Sequence, residues 1–343
     1  MSDIVRRIRR RASAGGKDPK LSFGTWDDLP EETNVVQICH PDWRGVRTVA
    51  YSFRTPIVEC DDLARWGEDI VSGLVNVGVD SVVVQGWPPG AGAFVRLGGE
   101  AGLRMRCVLH SSPAQQGAEQ GEAAVVDEVL DLARMGVLAG VGMAKAGVPE
   151  AFSAIGHPVT YVPNRIPALP TVEKLDLGPG LHIGVFAEPF WRKNVTTQLL
   201  AVGLLEGATA HVLARPDIRY LDEIDIVEHG ELPYDQFVAL QGSVDVNLYV
   251  TLSECHPSTP QESYLMGVPC LLSRTSAVFR SDPDLWMLTT TDEADNPSAI
   301  ATAAGRLLSN KSQAVERASL WMNLADFDAA ERWRMFTSDL DTI

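Results

Sequence analysis

The stretch SECHPSTPQESYLMGVP, residues 253–269, carries the strongest structural signal in the chain. It follows the apolar segment 244–252, which predicts a buried strand, and Gly267 predicts the end of a short helix. Glu254 lies on a loop that proline interrupts, and Glu262 opens the helix. The N–H groups and the positive dipole end of a helix start face outward together, which suits a phosphate group. Two carboxylates beside such a start predict a site for a sugar attached to a phosphate.

Short β-branched runs alternate with helical stretches along the chain. The predicted strands are residues 35–39, 81–85, 106–109 and 160–162 in the first half, and 182–186, 209–214, 224–228, 244–250 and 268–272 in the second. Strands that alternate with helices form parallel sheets covered on both faces. We therefore predict an α/β protein with two Rossmann-like, doubly wound parallel-sheet domains. Ligands bind beyond the carboxyl ends of such strands, so the two domains are expected to face a cleft.

The length of 343 residues fits two domains of ordinary size. Three prolines between positions 163 and 170 favour a linker. We assign residues 1–33 to an N-terminal arm and lead-in, 34–165 to the first domain, 166–180 to the linker and 181–322 to the second domain. A final packing helix is predicted over residues 323–340, and its aromatic residues Phe327, Trp333 and Phe336 are expected to pack.

The charge of the chain narrows the classes of partner. The formal net charge of −16 argues against nucleic-acid binding, which requires clustered Lys and Arg. Residues 1–20 are an exception, since seven Lys and Arg face two Asp there. This arm either frays in solvent or makes weak contact with an anionic membrane surface or an acidic partner. The chain lacks an apolar run long enough for a signal peptide or a membrane span, so a cytoplasmic location is expected.

The five cysteines are widely spaced, with no zinc-ligand pattern, and are expected to be reduced and buried. Cys255, the one inside the opening stretch, fits packing better than nucleophilic catalysis. No convincing D-x-D motif is present, and no metal site is predicted.

The spacing of the opening stretch resembles that of the retaining glycosyltransferases with the GT-B fold, specifically glycosyltransferase family 4. That family has a Glu, seven residues, a second Glu and a small or polar residue, with Gly five positions after the second Glu and Pro two further on. The chain satisfies each spacing with Glu254, Glu262, Ser263, Gly267 and Pro269. Residues 161–165 resemble the family's segment at the end of its first domain, and residues 186–194 stand in the place of its diphosphate loop.

The resemblance implies a hexosyltransferase-type enzyme that moves a sugar from a nucleotide-diphosphate donor, of UDP or GDP type, to a hydroxyl acceptor with retention of configuration. It further implies no metal and no cofactor, an acceptor-side first domain, a second domain that binds the nucleotide sugar, and a C-terminal helix, residues 323–343, that crosses back to the first domain. The acceptor class stays open among saccharides, lipids, small molecules and proteins.

Four residues receive the main roles by this resemblance. Glu262 would accept hydrogen bonds from the donor ribose, and Glu254 would lie beside the donor sugar. Lys193 would neutralise the leaving diphosphate, and His110, after a first-domain strand, would contact the sugar. The structural alternatives are a helix-start Glu, a solvated loop acid, a surface Lys and a strand-end His.

The remaining candidates stand where the chain departs from the family pattern. Arg192 could replace an Arg that the family carries before its Lys. The amides of Ser258 and Thr259 replace those of a Gly-Phe-Gly segment, and His256 could contact donor or acceptor. Gly45 stands for the family's Gly-Gly loop.

These departures motivate an alternative from another class. The chain would then be a noncatalytic subunit with the GT-B fold that binds a partner or an acceptor without transferring sugar. Nucleotide binding and product formation separate the two hypotheses.

Overall fold

The computed structural model describes residues 22–24 and 34–338 of the chain. The basic arm, residues 1–20, and the end of the predicted final helix, residues 339–343, lie outside the described residues. The chain divides into two units, of which the second runs from Ile166 to Asp326 and the first takes the residues before and after it.

The first unit contains a seven-stranded sheet. Its strands are β1 (Ser22–Gly24), β2 (Val35–Cys39), β3 (Ile57–Glu59), β4 (Ser81–Gln85), β5 (Arg104–Leu109), β6 (Gly140–Met143) and β7 (Thr160–Tyr161). They lie in the order β1-β3-β2-β4-β5-β6-β7, and all neighbours are parallel except β1 and β3. Since β2 and β4 are nearly or completely buried, they consist mostly of β-branched apolar residues.

Helices connect these strands. They are α1 (Arg44–Ser52), α2 (Leu63–Asn76), α3 (Ala91–Glu100), α4 (Pro113–Ala118), α5 (Gln120–Arg134) and α6 (Val148–Ala154). Asp62 caps α2 by accepting a hydrogen bond from the backbone N–H of Arg65.

The second unit contains a six-stranded sheet in which every pair is parallel. Its strands are β8 (Leu181–Val185), β9 (Ala208–Val212), β10 (Ile226–Glu228), β11 (Val246–Tyr249), β12 (Cys270–Ser273) and β13 (Thr290–Thr291), in the order β10-β9-β8-β11-β12-β13. The helices are α7 (Val195–Val202), α8 (Tyr234–Gln241), α9 (Thr259–Leu265), α10 (Pro283–Thr289) and α11 (Pro297–Ser309). Parallel neighbours end at the same edge, so the loops after β8 and β11 lie side by side.

The predicted fold class, two Rossmann-like parallel-sheet units, is confirmed. Strands 35–39 and 81–85 have the predicted bounds. The short strands β3 and β13 were not predicted, because two or three residues are too few to show a period.

The last helix, α12 (Lys311–Thr337), begins well before the predicted position 323. Ala314, Ala318 and Met322 pack in the core of the second unit, whereas Trp333 and Phe336 pack in that of the first. The predicted packing of Phe327 is wrong, since its side chain is 75% exposed. In the part of the chain that the structure describes, no helix combines the length and the apolar character needed to cross a bilayer.

Residues 162–180 form neither helix nor strand. Leu169, Val172 and Leu177 within this segment pack against an apolar cluster of the second unit that includes Phe237. The backbone N–H of Ile166 also donates to Asp326, which fixes the start of the segment.

Three histidines form a hydrogen-bonded row across the second sheet. His182 contacts the carbonyl of Gly178 through Nε2 at 3.2 Å and Nε2 of His211 through Nδ1 at 3.0 Å. His211 in turn contacts Nε2 of His229 at 2.9 Å through Nδ1. A carbonyl only accepts, so each Nε2–H donates in the same direction along a neutral row. Burial lowers the pKa of His211 to about 4, and charge repulsion from His229 and His182 contributes to the change, although the nearby Asp225 opposes it.

The histidine row predicts a pH dependence of stability. The folded state binds fewer protons at His211 than the unfolded state does between pH 4 and 6.5. Its contribution to the free energy of unfolding, at most about 3 kcal/mol, is therefore complete above pH 6.5 and is lost as the pH falls to 4. Denaturant unfolding of His211→Asn should show a flatter profile in this window. His157→Gln, in the first unit, should keep the slope of the parent protein. Equal slopes for parent and His211→Asn would contradict the prediction.

Candidate active site

The loop after β8 is fastened to the chain that leaves β11. The Asn194 side chain donates to the carbonyl of Val250 at 3.0 Å, and the Gln198 side chain accepts from the N–H of Val250 at 2.9 Å. The N–H of Leu252 donates to the carbonyl of Arg192 at 2.8 Å. Asn194 has a φ of 56°, a left-handed conformation that asparagine adopts more readily than most residues. These contacts hold the loop that carries Arg192 and Lys193 next to the loop that carries Glu254.

Lys193 and Glu254 form a buried ion pair at this junction. The Lys193 Nζ lies 2.5 Å from Glu254 Oε2, and it also donates to the Tyr249 hydroxyl at 2.6 Å. The Tyr249 hydroxyl is 3.0 Å from the same carboxylate oxygen, and Arg192 lies 3.9 Å from it. Two cations thus accompany one carboxylate, and the cluster carries a net positive charge.

The surroundings of Glu254 keep it ionised. Burial by itself would raise its pKa, but the nearby Lys193 and Arg192 and the N–H of Cys255 hold the pKa below its usual value. Burial and the adjacent Glu254 raise the pKa of Tyr249 well above its usual value, so the phenol stays protonated. Glu254 is therefore a fixed negative charge near neutral pH.

Glu262, in the first turn of α9, has the opposite environment. Its side chain is 2% exposed and accepts a hydrogen bond from the Tyr234 hydroxyl at 3.1 Å. Burial raises the pKa of Glu262 to about 7, although hydrogen bonds from Tyr234 and Ser258 oppose the change. At neutral pH this carboxyl group is poised between an acceptor-only form and one that also donates.

Ser263 and Gly267, the other motif residues beside Glu262, have structural roles. The Ser263 hydroxyl donates to the carbonyl of Val268 at 2.8 Å and lies 2.7 Å from Nδ2 of Asn247. Gly267 has a φ of 76°, which glycine adopts without strain after a helix. Ser263 thus anchors α9 to β11, and Gly267 with Val268 forms the turn that leads into β12.

The structure places the other predicted residues as follows. Ser258 and Thr259 are half-buried at the start of α9, and His256 is buried in the preceding loop. His110 belongs to the first unit, where its Nε2 lies 2.8 Å from Oε1 of Gln85. Gly45 is exposed in the first turn of α1. The structure therefore brings Lys193, Arg192 and Glu254 into contact, joins Glu262 to Ser258, and puts His110 and Gly45 in the other unit.

Sequence reasoning missed Tyr249, Tyr234 and Gln85. Tyr249 and Gln85 each end a buried strand, where a polar atom requires a partner. That requirement was visible in the sequence, but the identity of the partner was not. Tyr234 gave no comparable signal, since it opens a helix in the half-buried surface.

The two units together have the GT-B fold, as comparison with solved structures shows. The chain is similar to OtsA in its apo form, with a TM-score of 0.61 and 11% identity over 90% of this chain and 99% of that one. A UDP-forming trehalose-phosphate synthase from Burkholderia xenovorans gives 0.61 and 9%, over 91% and 100%. The sucrose-phosphate synthase of Thermosynechococcus elongatus gives 0.51 and 12%, over 83% and 80%.

Sequence comparison adds no family. No protein-family profile matches the chain, and no curated protein matches it. The GT-B part of the resemblance is therefore confirmed by the fold, and membership of glycosyltransferase family 4 stays a prediction.

The buried ion pair makes a prediction about stability. Lys193→Met leaves the buried Glu254 without its closest cation and should lower the free energy of unfolding by about 3 kcal/mol. The double variant with Lys193→Met and Glu254→Gln should lose much less free energy of unfolding than the two single variants together, because it contains no unpaired charge at this place. The measurement is a double-mutant cycle by denaturant unfolding.

A matched cycle on the exposed pair Arg334 and Glu331 should give a much smaller coupling, because solvent and salt screen exposed charges. Additive effects at Lys193 and Glu254 would show that the two side chains do not interact in solution.

The raised pKa of Glu262 makes a second prediction. The folded state binds the proton more tightly than the unfolded state, so the stabilising contribution is complete below pH 4.5 and is lost as the pH rises through 7. Glu262→Gln stays neutral and should be more stable than the parent at pH 8, by at most about 3 kcal/mol, and nearly equal to it at pH 4. Denaturant unfolding at both pH values tests this, and equal stability at pH 8 would disprove the raised pKa.

Proposed function

We propose that this protein is a retaining glycosyltransferase that moves a sugar from a nucleotide-diphosphate donor to a hydroxyl acceptor without a metal ion. The observation that carries the proposal is the cluster at the carboxyl end of neighbouring parallel strands, in which the half-buried Lys193 and Arg192 meet the buried Tyr249 and Glu254. This edge is the ligand-binding edge of Rossmann-like sheets.

The charge of the cluster suits a diphosphate. Glu254 neutralises one of the two cations and holds Lys193 in place, and the positive charge that remains attracts an anion. Negative charge on the diphosphate grows as the bond to the sugar breaks, so preorganised cations stabilise the transition state more than the ground state. We assign this role to Lys193 and Arg192, in place of a metal ion.

Glu262 suits the ribose of the donor. When ionised, its carboxylate has two acceptor oxygens for a vicinal diol, in surroundings where hydrogen bonds are strong because water is excluded. Its first-turn position on α9 places it near Ser258 and Thr259, the assigned diphosphate contacts. Retention is assigned to a path in which the leaving phosphate accepts the proton of the attacking hydroxyl.

The similar structures support the donor class and suggest a small acceptor. One of them is described as an E. coli protein bound to UDP-2-fluoroglucose, and another as a Burkholderia xenovorans trehalose-phosphate synthase in complex with glucose-6-phosphate. We propose a UDP or GDP sugar as donor and a small hydroxyl-bearing molecule as acceptor.

Nucleotide binding tests the proposal first. A nucleotide at 100 times its Kd should add about 2.7 kcal/mol to the free energy of unfolding, which a thermal shift with UDP, GDP and ADP detects. Glu262→Ala should abolish binding in calorimetry, while Glu206→Gln, an exposed acid of the same unit, should leave the affinity unchanged. Absence of any nucleotide-induced shift would refute the assignment of the donor site.

Transfer is then measured by mass spectrometry of products from UDP-sugars and GDP-sugars with a panel of hydroxyl acceptors. We expect product in the presence of EDTA, and anomeric NMR signals of the same configuration as the donor. Binding without any product would favour the noncatalytic subunit, and an inverted product would refute retention.

A further inference from the structure

A row of buried amides crosses the first sheet and ends at His110. The Gln37 side chain, on β2, donates through Nε2 to the carbonyl of Ala50 at 2.8 Å and lies 2.5 Å from the Thr55 hydroxyl. Nε2 of Gln85, on β4, donates to Oε1 of Gln37 at 2.7 Å. Oε1 of Gln85 then contacts Nε2 of His110, after β5, at 2.8 Å. Both glutamines are fully buried.

The strand register explains why these side chains meet. Gln37 pairs with Val83, two residues before Gln85, and Gln85 pairs with Val108, two residues before His110. Side chains two residues apart on a strand share a face. The three polar side chains therefore form a diagonal row on one face of the sheet.

The row has a fixed direction. The Ala50 carbonyl has no proton, so Gln37 must turn its NH₂ group toward it and present its oxygen to Gln85. Gln85 must then turn its own NH₂ group toward Gln37 and its oxygen toward His110. Reversing either amide would lose buried hydrogen bonds and place acceptors against each other, which burial makes costly.

We propose that Gln37 and Gln85 are positioning residues that hold His110 as the tautomer with hydrogen on Nε2. The neutral ring then carries its lone pair on Nδ1, which acts as a hydrogen-bond acceptor. Any group that hydrogen-bonds to Nδ1, within the protein or on a ligand, must then be a donor, such as a hydroxyl group. A role for His110 beside the donor sugar rests on the proposed function, whereas the tautomer itself does not.

Nitrogen-15 NMR of the histidine-labelled protein tests the tautomer directly, at a pH where the ring is neutral. His110→Asn identifies the signals by their loss. We expect Nε2 of the parent at the frequency of a protonated ring nitrogen and Nδ1 at that of an unprotonated one. The reverse pattern, or equal populations, in the parent protein would overturn the proposal.

The effect of Gln37 on His110 through Gln85 is tested with Gln37→Met, because Gln37 does not contact His110 directly. Without the Gln37 oxygen, Gln85 is free to turn its amide, so a second tautomer of His110 should appear. Ser52→Ala removes a buried hydrogen bond to Val49 near the row and should leave the single tautomer intact. An unchanged spectrum of a folded Gln37→Met would refute the positioning role. None of these measurements requires nucleotide or turnover, so failure of the proposed function is seen separately.

Discussion

The buried contact between Lys193 and Glu254 is the constraint on which the site in the second unit depends. A nearby cation stabilises the ionised form of a buried carboxylate. The cation here comes from the loop after β8, and the carboxylate comes from the loop after β11. The contact is possible because these strands are parallel neighbours and end at one edge. Bonds from Asn194 and Gln198 to Val250 keep the loops in that register. The fold thereby fixes a charged group that flexible surface loops would not hold.

The two motif carboxyls differ because their neighbours differ. Glu254 has Lys193 and Arg192 beside it and stays ionised, whereas Glu262 has only uncharged donors and its pKa rises to about 7. Environments that give two carboxyl groups different pKa values in this way suit them to separate chemical roles. Above neutral pH, folding buries the ionised form of Glu262, and this lowers the free energy of unfolding. A ligand that donates hydrogen bonds to the carboxylate would stabilise that ionised form.

Much of this architecture could be read from local pattern. Apolar β-branched runs marked the long strands, and the spacing from Glu254 to Gly267 marked a loop and a short helix. The start of α12 was missed because its first half has a weak apolar pattern, and Phe327 was wrongly placed in a core because aromatic residues are usually buried. The glutamines and histidines that form the two hydrogen-bonded rows were visible as polar residues in strands or directly after them, but their partners lie on or after other strands.

The sequence by itself determined the α/β class, the alternation of strands and helices and the two carboxylates, because periodicity and turn residues act over a few positions. Only the tertiary structure decided that Lys193 meets Glu254, that Glu262 meets Tyr234 and that Gln85 meets His110. Strand order and register set these contacts, and they depend on packing between segments far apart in the chain. Ionisation and tautomer follow from such contacts, since burial and neighbouring charges determine which form is stable.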